Sequence, residues 1–186
     1  MQLTDAILKR RAVRDYAPDP LDEKTATELV TLATWAPTAR DQQAWGFVVV
    51  RDRQVLERCS AAAKAHMLSL MGEHTALAGF REALLSPAFN IFYNAPALVL
   101  ICATNAEPMT REDCALAAQT LMLAAADRGL GSCWIGFAEA WLGTPAARGE
   151  LSLPDGWIPV APIILGKPAA WPPAPPRRPP DIRWVG

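Results

Sequence analysis

Apolar residues along this chain recur with two periods, which divide it into helices and strands. Over 22–35, Ala26, Leu29, Val30, Leu32 and Ala33 are interleaved with Asp22, Glu23, Lys24 and Glu28. This is the spacing of a half-buried helix, and Pro37 stops it. Residues 2–11 predict a shorter amphipathic helix with Leu3, Ile7 and Leu8 inward and Thr4 as its cap. "GFVVVR" at 46–51 is β-branched and aromatic and reads as a strand. Asp52 then caps a helix running to about Ala65. Helical content over 66–93 is interrupted by Gly72, Gly79 and Pro87.

"ALVLICAT" at 97–104 is a fully buried strand, and "VAPIILG" at 160–166 is another. Between them, residues 111–128 form the strongest helix, with Cys114, Ala115, Ala117, Ala118, Leu121, Met122, Ala124 and Ala125 nearly all round it. Such a helix belongs in the centre of a fold or in a subunit interface. Gly129 fits its C-cap, and "GLGSCWIGF" at 129–137 leads from that turn into a further strand. The order of elements predicts an α+β fold, a small sheet covered by helices.

The length of 186 residues suits one domain spanning 1–186. A net charge of −1 gives no reason to expect a nucleic-acid partner. No apolar run approaches a membrane span and no secretory segment is evident, so the cytoplasm is the expected compartment. Cys59, Cys102, Cys114 and Cys133 are widely spaced, and His66 and His74 lack companion ligands. Packed, reduced thiols are expected and a zinc site is not. From Pro154 to Pro180 the chain holds ten of its 17 prolines. The stretch 167–186 reads as an extended arm, stiff and non-globular. Trp171, Ile182, Trp184 and Val185 are costly to leave in water, so the arm is expected to wrap a body, its own or that of a partner in a homodimer.

Four groups of residues could carry chemistry. Arg10, Arg11 and Arg14 cluster at the end of the first helix, where Arg10 and Arg14 would share a face if the helix persists. They could bind an anion or simply complement a helix end. Thr38, Arg40, Asp41 and Gln43 occupy a helix-to-strand loop, and could be ligand contacts or a turn chosen for its geometry. Gly136 follows Ile135 inside the apparent strand, where it permits close approach of a flat ligand or another chain. Lys167, Arg177 and Arg178 make the arm basic. No nucleophile constellation and no paired carboxylates stand out. Together these features suit an anionic cofactor with an aromatic ring.

"RRAVRDY", "APTARDQQAW" before a strand, "DCALAAQTLMLAAADRGLGSCWIG", and "ILGKP" with a late "RRPP" resemble, in order and spacing, the FMN-dependent nitroreductase family. The resemblance implies an α+β homodimer with a small mixed central sheet, two FMN sites at the subunit interface and a C-terminal arm swapped onto the partner. It implies a ping-pong reaction in which NADH or NADPH reduces FMN and a small acceptor, such as a nitroaromatic or quinone, reoxidises it. Flavin fragmentation, dehalogenation, azoline dehydrogenation and non-catalytic FMN binding occur as alternatives on this scaffold. By position, Arg10, Arg11, Ala12 and Arg14 would surround the phosphate and ribityl chain, with Arg177 closing from the arm. Pro37, Thr38 and Ala39 would approach the flavin of the other subunit, and Gln43 would lie in the same polar shell. Ile135 and Gly136 would present backbone near flavin N5, and 66–93 would be the variable helical cover. Three positions depart from the pattern: Ala12 replaces the usual Ser, Asp41 the usual Asn and Ala44 the usual Pro. Asp41 is expected to turn toward Arg40 or another cation, because a carboxylate at the ring would oppose its reduction.

Overall fold

In the computed structural model, which describes residues 2–71 and 79–186, four strands form one antiparallel sheet. They are β1 (Trp45–Val50), β2 (Ala97–Ala103), β3 (Gly131–Trp134) and β4 (Ile158–Gly166), in the order β1-β2-β4-β3. Every ladder is antiparallel, so the expected mixed sheet is corrected. Its parallel component among the described residues is a lone bridge between Ala12 and Ser132. Successive residues of a strand face opposite ways, and both faces are covered. Leu98, Leu100 and Cys102 of β2 enter one core, while Ala97, Val99, Ile101 and Ala103 enter the other. The first core packs under α3 (Arg53–Leu70), α6 (Glu139–Leu142) and α7 (Pro145–Glu150), and the second under α2 (Glu23–Ala33) and α5 (Thr110–Asp127).

Helix α5 buries Cys114, Ala117, Ala118, Leu121, Met122, Ala125 and Ala126 against the sheet and α2. Its end is the one the glycine marks: Gly129 adopts φ 70°, and the Leu130 N–H reaches back to the Ala125 carbonyl at 2.9 Å. Asp22 and Asp52 cap α2 and α3 by accepting from backbone N–H groups of the first turn. Between α3 and β2, the 66–93 region contributes the end of α3 and the short helix α4 (Arg81–Leu85). Gly72 and His74 lie outside the described residues.

The first helix differs from expectation. α1 runs Leu3–Lys9 with Gln2, not Thr4, at its N-cap, and it buries only Ala6 among its residues. Leu3, Ile7 and Leu8 are exposed. The helix stops because the chain turns extended at Arg10 (φ −54°, ψ 132°) and pairs with β3, where the Val13 N–H donates to the Ser132 carbonyl at 3.0 Å. Two paired glycines make room for this crossing. A Cβ on Gly131 would lie 2.7 Å from the Cβ of Val13, and one on Gly166 would lie 2.9 Å from the Tyr16 ring. Gly131→Ala is therefore expected to push residues 10–14 off the sheet and destabilise the protein by about 1–3 kcal/mol. Chemical denaturation checks this, and an unchanged midpoint would refute it.

The proline arm begins on the body. The Ala17 N–H donates to the Lys167 carbonyl, the Ala169 N–H to the Asp15 carbonyl, and the Trp171 indole N–H to the Lys9 carbonyl at 2.8 Å. Farther along, Ile182, Trp184 and Val185 stand exposed.

Candidate functional site

A cavity of about 500 Å³ opens at the β3 edge of the sheet, on the α3 side. Its floor is the end of β3 and the residues after it: Cys133, Trp134, Ile135, Gly136 and Phe137. Met67 from α3, Phe80 and Tyr93 form its apolar walls, and Arg14 supplies a cation. Phe80 and Phe137 meet edge to face with ring centres 5.2 Å apart. The Arg14 guanidinium lies over the Tyr93 ring, 5.9 Å from its centre.

Backbone geometry decides what the floor can offer. The Ile135 N–H is committed to the Pro162 carbonyl at 2.9 Å, which continues the sheet beyond β3. At Gly136 a Cβ would meet nothing within 4 Å. The glycine is thus not required by packing within this chain, and its absent side chain leaves the cavity wall flat. Burial pushes the Cys133 thiol up, while the Arg14 and Arg10 guanidiniums oppose that shift. Both arginines therefore bring positive charge to this end of the cavity.

They do so without a shared helix face. The helix ends at Lys9, and from the segment beyond it both Arg10 and Arg14 act on the Cys133 thiol. Arg11 points elsewhere and donates to the Leu8 and Arg10 carbonyls at 2.7 and 2.8 Å. It satisfies the open end of α1, as a cation at a helix C-terminus does. Its Nε is buried without a partner among the described residues, as is the Ser132 hydroxyl. Ala12, next to Arg11 in the chain, is bridged to Ser132.

The 37–43 loop lies elsewhere. It borders a different cavity, of about 420 Å³, lined by Thr34, Trp35, Ala36, Asp41 and Gln43. Pro37, Thr38, Ala39 and Gln43 are not among the residues lining the Arg14–Gly136 cavity of their own chain, and Arg177 is exposed on the arm. Asp41 does not face Arg40. Its carboxylate accepts from the Gln43 amide at 2.9 Å, while Arg40 pairs with Glu107 at 3.3 Å. Arg40 and Asp41 both adopt the left-handed conformation, φ 54° each.

Three of the cavity walls, Met67, Phe80 and Tyr93, fall within the 66–93 segment expected as a cover, although none was singled out there. Phe137 was not anticipated as a wall, and its only signal is proximity in the fold. Asp113 was missed too: it is buried at the start of α5, and both its oxygens lie 3.1 Å from the Ala39 nitrogen.

The nitroreductase family model matches residues 7–167. The chain belongs to the nitroreductase family. A Methanothermobacter thermautotrophicus protein provisionally named NADH dehydrogenase/NAD(P)H nitroreductase is 27% identical over 173 residues, covering 91% of this chain and 78% of the relative. The 5,6-dimethylbenzimidazole synthase of Rhodospirillum rubrum is 36% identical over 186 residues, covering 88% and 81%. The nitroreductase of Bacteroides fragilis, solved with bound FMN, superposes with a TM-score of 0.87 over 100% of both chains at 23% identity, a likeness of fold. No described helix of this nitroreductase-family chain is long and apolar enough to cross a membrane.

Proposed function

We propose that this protein is a homodimeric FMN-dependent oxidoreductase that takes electrons from NADH or NADPH and delivers them to a nitroaromatic, quinone or related small acceptor. The observation that carries this reading is the cavity: a flat backbone floor at Gly136, aromatic walls and a guanidinium at one end. These residues fit a flavin nucleotide. Bound FMN supplies two-electron transfer between nucleotide and acceptor, and the chain supplies the rest. Arg14 and Arg10 hold the phosphate, where guanidinium forks match its oxygens. Gly136 leaves its face open to the ring. Phe80, Tyr93 and Phe137 exclude water from the ring's surroundings. Asp41 is held by its own loop, its carboxylate accepting from the Gln43 amide at 2.9 Å.

The dimer completes the site. Leu3, Ile7, Leu8, Leu116 and Trp35, the last 81% exposed, lie on α1, α2 and α5 or at their ends and leave large apolar side chains in water. A groove of about 460 Å³ between Leu3, Leu32, Trp35 and Leu123 runs among them. A second copy covers this face, which brings Pro37, Thr38, Ala39 and Gln43 to the partner's flavin. The swapped arm carries Trp184 and Val185 onto the partner and Arg177 to the phosphate. The cytoplasm remains the proposed compartment.

The 36% identity to the Rhodospirillum synthase favours a second reading, in which the same site fragments the flavin. One experiment separates the two. The purified protein is expected to show a flavin spectrum and to oxidise NAD(P)H rapidly when a nitroaromatic or quinone is added. Loss of the flavin in air to a benzimidazole product would favour the second reading. A colourless protein that binds no FMN on titration would sink both.

A further inference from the structure

The loop between α2 and β1 is strained in a way its sequence does not announce. Arg40, Asp41 and Gln43 adopt φ of 54°, 54° and 49°, three left-handed residues within four positions and none of them glycine. Each costs free energy because its Cβ crowds the backbone, and such geometry persists only where the surroundings over-determine it. Several contacts hold the loop. Thr38 accepts from the Gln43 N–H at 3.3 Å, and Gln43 donates to Asp41. These lie within the loop and are exposed. Arg40 reaches Glu107, but this ion pair is solvated on both sides and therefore weak.

The remaining tether from outside the loop is partly buried. Asp113 is 3% exposed, and the Ala39 N–H points at its carboxylate, 3.1 Å from each oxygen. No cation lies within ion-pair distance of Asp113 among the described residues. Asp113 lies in the first turn of α5, a position where helix N–H groups favour acidic residues. Asn105 sets the turn before that helix by accepting from the Glu107 N–H and the Thr110 hydroxyl. Asp113, and more weakly Glu107, thus reach the loop from the same segment.

We propose that Asp113 is the positioning residue of the 38–43 loop: by accepting the Ala39 N–H it fixes the loop's left-handed shape, and through it the wall that this subunit presents to its partner's flavin. The second half rests on the proposed function of the loop. Asp113→Asn keeps an acceptor for the amide. Asp113→Ala removes it. Ala39→Pro removes the donor instead, and Thr38, at φ −131° and ψ 149°, already has the conformation a residue before proline adopts. Hydrogen exchange of the 40–43 amides, FMN titration and steady-state kinetics are measured on the full dimer. Asp113→Ala and Ala39→Pro are expected to speed exchange, weaken FMN by about tenfold and raise acceptor KM more than they lower kcat. Asp113→Asn should stay near wild type in all three. If Asp113→Ala does not fold, Ala39→Pro carries the test. Exchange that stays slow in the variants overturns the tether. Fast exchange with unchanged FMN affinity and KM overturns the loop's part in the flavin site while flavin binding stands. A wild-type chain that binds no FMN overturns the proposed function, and with it the second half of this proposal.

Discussion

Gly136→Val is expected to yield a colourless protein that unfolds at the wild-type apoprotein's temperature. The two halves of that outcome have separate causes. Within the chain, a Cβ at this position has open space on every side within 4 Å, and Gly136 does not occupy the left-handed region. Neither packing nor backbone geometry resists a side chain in the apoprotein. The space it would fill is at the floor of the Arg14–Gly136 cavity. Forcing a branched side chain against a bound ring should cost about 3 kcal/mol, roughly a hundredfold in FMN affinity. Thermal melts of the apoprotein and flavin fluorescence titrations measure the two quantities independently. Wild-type affinity in the variant would remove Gly136 from the flavin's surface. A lower apoprotein melting temperature would show instead that the glycine serves the fold.

That contrast marks where sequence was informative. Strands β2 and β4, helix α5 and its glycine cap were legible because each is long, fully buried or closed by a residue whose backbone preference is local. The end of α1 was not. Arg10, Arg11 and Arg14 have good helix propensity, and nothing nearby forbids another turn. What stops the helix is Gly131, more than a hundred residues away, which lets Val13 lie against β3. The loop at 38–43 was legible as a loop but not in shape, since left-handed Arg40, Asp41 and Gln43 are held by Asp113 and Glu107 of a distant segment. Likewise Phe80 and Phe137 are 57 positions apart in the numbering, and only the fold makes them one wall. The chemistry of the site was thus readable residue by residue, while its assembly depended on close approaches that leave no local pattern.

Arg14→Ala is expected to weaken FMN by roughly ten- to a hundredfold while leaving riboflavin affinity unchanged. A charge-assisted hydrogen bond is worth about 1.5–3 kcal/mol, and riboflavin lacks the phosphate that would receive it. The comparison is needed because Arg14 has a second contact, with the Tyr93 ring that forms part of the cavity wall. If the guanidinium acts mainly by holding that ring in place, both ligands should lose affinity together. If it holds the phosphate, only FMN should, and the loss should shrink as salt is raised, because the Arg14 side chain is exposed and screened. Arg14→Lys distinguishes charge from shape. An ammonium keeps the attraction but not the planar fork, so it should recover part of the affinity and not all of it. Equal losses for FMN and riboflavin would move Arg14 from the phosphate to the ring's edge. Unchanged affinity for both would leave Arg14 as a solvated side chain of the segment that follows α1.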